Sequence, residues 1–330
     1  MVQIEIEIEG KKVPVETHDL PLHFDEMVAC FVMEKKADKK FLQKYAPEGV
    51  IRVGIGGGEF DEHPTRTTKR KEGECAASLI AKSLGVEDDP GLKRILSFTL
   101  AWDLKGGGSP FDLAALTKMM SESLSPQETY QNVKKFLEIR YEQDLAFETE
   151  AKDEYQKVAE EEILQVGKRK VKIVVLPSDN VLVRKFALSL EGGGAIAIQK
   201  WSSGHVQIFA NKHSLGNGLD DIARMVRLAE QSRKGRSRTT NRDKLASEGI
   251  VLGAEEWYYH RAGTALLNGR SPDNWGVSPT NLPLEQIRRI VQIGVNIFQL
   301  PQHCPRSRCL LRECGWYFWG LDRCQKIRQR

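Results

Sequence analysis

The sequence predicts an α/β fold: an N-terminal parallel-sheet domain, a helical connector, and a smaller C-terminal α+β domain with a Cys-rich tail. Three observations carry this expectation. Isoleucine and glutamate alternate as in a strand over Val2-Gln3-Ile4-Glu5-Ile6-Glu7-Ile8, and strand and helix signals then take turns as far as residue 121. From Ser125 to about Gln165 the composition shifts to Glu, Lys, Gln and Ala, the make-up of solvated helices. Beyond Lys170 short strands dominate. The expected divisions are 1–125, 126–169 for the connector, 170–300, and 301–330 for the tail.

The individual elements follow in order. Val13-Pro14-Val15 continues the opening strand pattern, and Met27-Val28-Ala29-Cys30-Phe31-Val32-Met33 is an apolar run of helical length. A strand is expected near Ile51-Arg52-Val53, with helices at Glu74 to Leu84 and Phe111 to Ser121. Ser125 and Pro126, followed by Gln127-Glu128, mark a helix start. In the C-terminal half, Val171 to Leu176 reads as a strand. Ala195 to Ile198 and His205 to Phe209 form a hairpin around Trp201-Ser202-Ser203-Gly204. Leu219 to Leu228 is a helix with acids in its first turn and basic residues later, as the macrodipole favours. No repeat of 20 to 50 residues is present, although Gly56 to Gly58 and Gly106 to Gly108 form two similar loops.

A chain of 330 residues, 40% apolar and 28% charged, has the material for two cored domains. No apolar run reaches the roughly 18 to 20 residues of a membrane helix, and the chain opens on a Glu-rich strand in place of a basic and apolar leader, so a cytoplasmic protein without membrane contact is expected. The net charge of +4 says little about partners, but basic residues gather at Arg66 to Lys71, Arg233 to Lys244 and along the tail. Of six cysteines, Cys30 and Cys75 fall in expected helices and four lie in the last 27 residues; that compartment argues against a disulfide framework.

The densest chemistry lies in Thr17 to Glu26. His18 and His23 sit with Asp19, Asp25 and Glu26 inside nine residues, on a strand-to-helix loop. In open α/β sheets such loops lie at the carboxyl ends of strands, where ligands bind. Asp61, His63 and Asp103 fall at other expected strand ends and join the candidate set. Imidazoles and carboxylates without thiolates suit Mn²⁺ or Mg²⁺ better than a closed zinc site. The plainer alternative is that His18 and His23 are surface or capping residues and that Asp25 starts the following helix.

The pattern Thr-His-x4-His-x-Asp-Glu followed by Ala-Cys, at Thr17 to Cys30, resembles the opening motif of the melanocyte proliferating gene family, a branch related to the DHH phosphoesterases. Gly56-Gly57-Gly58-Glu59-Phe60-Asp61-Glu62-His63 looks like a shortened form of its Gly-Gly loop and Asp-His-His motif. Glu74 to Ile80 with Leu84-Gly85 looks like the helix that follows. The resemblance implies a DHH-like first domain and a Mn²⁺-dependent phosphoesterase, in a family with members acting as 3′-5′ exonucleases on RNA. It makes His18, His23, Asp25, Asp61, His63 and Asp103 the metal ligands, with Asp25, Asp61 and His63 the catalytic residues.

Further on, Trp257 to Gly263 and Asn268-Gly269 resemble the family's late His-x-x-Gly segment, which implies substrate contacts by His260, Arg261 and the backbone of Gly263. The alternative is that Trp257 to His260 is a core strand. Two departures bear on activity. Glu62 stands for the middle His of Asp-His-His, and Gly54 or Gly56 stands where a further Asp would precede the glycine pair. The rival expectation is therefore a catalytically degenerate RNA- or nucleotide-binding protein on the same fold.

Cys304-x4-Cys309-x4-Cys314-x9-Cys324, beside His303, offers four thiols for one tetrahedral Zn²⁺, with an iron–sulfur cluster or free thiols as alternatives. Trp316, Tyr317, Phe318 and Trp319 lie among Arg306, Arg308, Arg312 and Arg323, a mixture able to stack on single-stranded bases and hold phosphates, or else to plug a core. The basic run Ser232 to Arg242 reads as a loop that either tracks an RNA backbone or is merely solvated. Neither Gly106 to Gly108 nor Gly192 to Gly194 ends in the Lys-Ser/Thr of a phosphate loop, so no nucleotide cofactor is expected.

Overall fold

The structure is a computed structural model that describes residues 1–63, 71–106, 108–215, 218–235, 242–269 and 275–295. The chain divides into two compact units, Met1–Glu150 and Ala151–Arg330.

In the first unit, β1 (Val2–Ile8) and β2 (Lys11–Thr17) pair antiparallel, with Val2 opposite Thr17 and Ile8 opposite Lys11. Glu9 and Gly10 both take positive φ at the turn, the twist a two-residue hairpin requires. Alternation places Ile4, Ile6 and Ile8 in the core and leaves Glu5 and Glu7 outside. β3 (Ile51–Arg52) adds parallel to β2, so the order is β1-β2-β3. The sheet is thus mixed, not the parallel sheet expected: a tight turn can join only antiparallel neighbours.

Helix α1 (Phe24–Lys36) is buried continuously from Phe24 to Met33, because α3 (Ala76–Leu84), α4 (Lys93–Lys105), α5 (Leu113–Ser121), α6 (Pro126–Ala146) and β1 surround it. The short α2 (Lys39–Tyr45) is capped by Asp38, whose side chain accepts from Phe41 N at 2.9 Å. Helix α6 opens where Ser125 and Glu128 predict, with Glu128 Oε2 accepting from Ser125 N at 3.0 Å. It is not, however, a solvated connector. Tyr130, Val133, Leu137 and Tyr141, spaced as one helical stripe, lie in the core of the first unit, and the Tyr130 hydroxyl donates to Glu34 at 2.8 Å. A π-helical segment, Phe147–Ala151, spans the division between the units.

The second unit contains α7 (Lys152–Val158), β4 (Glu160–Val166), β5 (Arg169–Pro177), α8 (Val181–Ala187), β6 (Ile196–Lys200), β7 (Val206–Ala210), α9 (Asp220–Arg233), α10 (Arg242–Leu245), β8 (Trp257–His260), β9 (Ala265–Asn268) and α11 (Leu284–Val295). The strands form one sheet in the order β4-β5-β6-β7-β9-β8. β5 and β6 run parallel, with α8 in the crossover; every other pair is antiparallel, including the expected β6–β7 hairpin. Ile222, Met225 and Val226 of α9 and Ile287, Ile290 and Val291 of α11 close the core.

Arg227 is fully buried within α9. Its guanidinium donates to the carbonyls of Leu245 and Ser247, each at 2.8 Å, of Trp257 at 3.2 Å, and of Gly249. One helix turn later, Glu230 accepts from Trp257 Nε1 at 3.0 Å. Together they tie the segment before β8 to the helix. Among the described residues no helix is long and apolar enough to cross a membrane.

Candidate metal centre

The link from β2 to α1 brings His18 and His23 together, their rings stacked 4.9 Å apart. His63 meets His18 edge-on at 5.1 Å. Asp25 and Glu26 occupy the first turn of α1, where the helix dipole favours negative charge. Glu26 is buried; its carboxylate accepts from His18 N at 3.3 Å and His23 N at 3.4 Å and contacts His18 Nδ1 at 2.5 Å. That contact occupies one imidazole nitrogen and leaves Nε2 for a ligand.

The chain leaves β3 through Val53 and Gly54, and Gly54 lies against this carboxylate. A Cβ there would stand 2.6 Å from Glu26 Oε1 and 3.2 Å from His18 Nδ1, and φ is +71°. Only glycine fits both demands. The following loop turns back so that Gly57 N donates to Asp61 Oδ2 at 2.7 Å and His63 N donates to Asp61 Oδ1 at 2.9 Å. Asp25 in turn accepts from Ala76 N at 3.1 Å, at the start of α3.

Three groups of side chains result. His18, His23 and Glu26 form one; Asp61, Glu62 and His63 a second; Asp25, Glu62 and Asp103 a third. Within each, the candidate ligand atoms all lie within 4.8 Å of one another. Every histidine and aspartate expected as a ligand of Mn²⁺ or Mg²⁺ falls in one of these groups, although Asp103 reaches it from within α4 and not from a strand end. Glu26 and Glu62 are additions: Glu26 is visible in the sequence as the second acid of the motif, and Glu62 as a replacement for a histidine that can itself supply an oxygen ligand or act as a base.

The electrostatics match a site built for a cation. Burial, reinforced by Glu26, Asp103 and Glu62, pushes the Asp25 carboxyl up to about 8, and the Ala76 N–H offsets only part of this. Burial likewise raises Glu62, helped by Asp103 and Asp61. His18 is raised by its bond to Glu26. For Asp61, burial is outweighed by the N–H donors of Gly57 and His63 and by the His63 ring, and its carboxyl falls below the usual range. Glu62 Oε2 is buried and has no hydrogen-bond partner among the described residues, the condition of an oxygen whose partner is an ion. Cys75 lies nearby, its thiol pushed up by burial, but it belongs to none of the three groups, whose donors are nitrogen and carboxylate.

The remaining candidates lie elsewhere. In the second unit, β8 sends Trp257 and Tyr259 into the core, as the core-strand alternative describes, while His260 is exposed. Arg261 Nε meets Asp220 Oδ1 at 3.1 Å and Nη2 donates to Ala246 O at 2.7 Å. Gly263 passes so near the His260 ring that a Cβ would fall 2.0 Å from Nδ1. Cys304, Cys309, Cys314 and Cys324, the aromatic residues among them, most of the basic run at 236–241, and residues 64–70 lie outside the described residues.

Fold and site together define a mixed α/β protein whose first unit gathers histidines and carboxylates suited to a metal ion. No protein-family model matches the chain, and no curated protein matches it.

Proposed function

We propose that this chain is a metal-dependent phosphoesterase of the DHH type, hydrolysing phosphodiester bonds in RNA or short oligonucleotides. The observation that carries the reading is the convergence of residues 18–26, residues 61–63 and Asp103 on interlocking donor groups that include a buried carboxylate oxygen with no hydrogen-bond partner among the described residues. The motif residues at Thr17 to Cys30 and Asp61 to His63 point the same way. His18, His23, Asp25, Asp61, His63 and Asp103 are the residues that would hold Mn²⁺ or Mg²⁺. When bound, such an ion neutralises phosphate charge and lowers the pKa of a water ligand.

The chain's own groups prepare the site. The Gly57 and His63 amides hold Asp61 ionised and oriented, the Ala76 amide fixes Asp25, and Glu26 sets the His18 ring so that one nitrogen faces outward. The resemblance makes His260 and Arg261 of the second unit proposed substrate-binding residues; Arg261 would have to exchange Asp220 for substrate.

Labelled single-stranded RNA incubated with the protein and Mn²⁺ tests the reading. Cleavage is expected, and a chelator or Asp25→Asn is expected to reduce it by at least about 100-fold. Cleavage that survives both controls would refute it. RNA binding without cleavage would favour the degenerate binding protein, the reading that Glu62 in place of a histidine supports.

A further inference from the structure

Glu62 belongs to two of the three donor groups, with Asp61 and His63 in one and with Asp25 and Asp103 in the other. It is 2% exposed, which keeps it from bulk solvent. Its Oε1 lies 3.4 Å from His63 Nδ1, while Oε2 has no hydrogen-bond partner among the described residues. A carboxylate can give one oxygen to each of two cations, whereas an imidazole, with its nitrogens on opposite edges of the ring, cannot join them at so short a range. Nor can position 54 supply the join, since a side chain there would collide with Glu26.

We propose that Glu62 is the shared ligand of two divalent cations, one held with Asp61 and His63 and the other with Asp25 and Asp103. This rests on the metal-dependent reading above and adds the residue of this chain that joins the ions.

The test is Mn²⁺ binding to the full chain without RNA, by calorimetry and electron paramagnetic resonance. The expected result is two Mn²⁺ per chain with an exchange-coupled spectrum. Glu62→Gln, close in shape, is expected to abolish the coupling and weaken the second Mn²⁺ by at least about 10- to 100-fold. Glu62→His keeps a ligand for one ion and is expected to bind one Mn²⁺ tightly, uncoupled. A single or uncoupled Mn²⁺ in the unaltered protein overturns the proposal whether or not either variant folds. So does a coupled pair in a variant shown by circular dichroism to be folded. RNA hydrolysis by protein holding one uncoupled Mn²⁺ would sink the bridge and leave the phosphoesterase; a coupled pair with no hydrolysis would do the reverse.

Discussion

Asp25→Asn changes one charge and almost no volume, and it should move stability and metal binding in opposite directions. Asp25 is 4% exposed, and without metal its carboxyl is pushed from 3.8 up to about 8. A carboxyl with a folded pKa above its unfolded value favours folding only while protonated. Its contribution is complete below about 4 and is lost as pH rises towards about 8. Within that window each pH unit costs about 1.4 kcal/mol, so going from pH 5 to pH 7 should remove ~2 to 3 kcal/mol from the metal-free protein. The raised Glu62 and His18 lean the same way, since each also favours its protonated form in the folded state.

Asparagine has no proton to lose, and its amide oxygen can still accept from Ala76 N. In chelator at pH 7.5 the variant should therefore be more stable than the unaltered protein by ~2 to 4 kcal/mol, roughly 5 to 10 °C in Tm for a unit of this size. At pH 4 the two should coincide. Adding Mn²⁺ should raise the midpoint of the unaltered protein and leave the variant nearly unmoved. Urea and thermal unfolding across pH, with chelator or Mn²⁺, provide the measurement. Metal-free stability that is flat from pH 5 to 7.5, or a variant less stable in chelator at pH 7.5, would refute the argument from burial and carboxylate repulsion.

Two further substitutions probe other parts of the molecule. Gly54→Ala meets both a positive φ and a Cβ contact of 2.6 Å with Glu26, so it should cost about 1–3 kcal/mol and weaken Mn²⁺ binding by displacing Glu26 from His18; urea midpoints and a metal titration read the two effects. Arg227→Leu removes the donor serving four carbonyls and should destabilise the second unit by about 3–5 kcal/mol, and a loss below about 1 kcal/mol in urea unfolding would show that water replaces the guanidinium.

What could be read from the letters depended on how local each cause is. The Ile-Glu alternation of β1 is a property of seven neighbouring residues, and the strand with its buried and exposed faces is present in the structure. The sheet's direction was misread because regular alternation of strand and helix signals outweighed one short cue, Glu9-Gly10 between two strand-like runs. In α6 the stripe Tyr130, Val133, Leu137, Tyr141 is present in the sequence, but averaging over a segment rich in Glu, Lys and Gln hid it. His18, His23, Asp61 and His63 were legible because few other roles concentrate such side chains on short links, with Asp25 just inside the helix that follows; Asp103, expected at a strand end, lies instead within α4. Glu62 was legible as a departure from the motif that could still offer an oxygen, but that it stands between two groups is a matter of distance, which spacing along the chain does not encode. Arg227 gave no signal at all. It sits in a charged helix sequence like any surface arginine, and the carbonyls that surround it come from residues 245 to 257.

The π segment at Phe147–Ala151 explains how one uninterrupted helical stretch serves two cores. Tyr141 in α6 packs in the first unit, with its ring edge-on to Phe31, whereas Tyr155 in α7 packs on Phe186 in the second. A wide turn takes up an additional residue within the same helical run. The two stripes therefore need not share one period. Each is stepped to the core of its own unit, so a change on one side of the π segment leaves the register of the other side with its own core untouched.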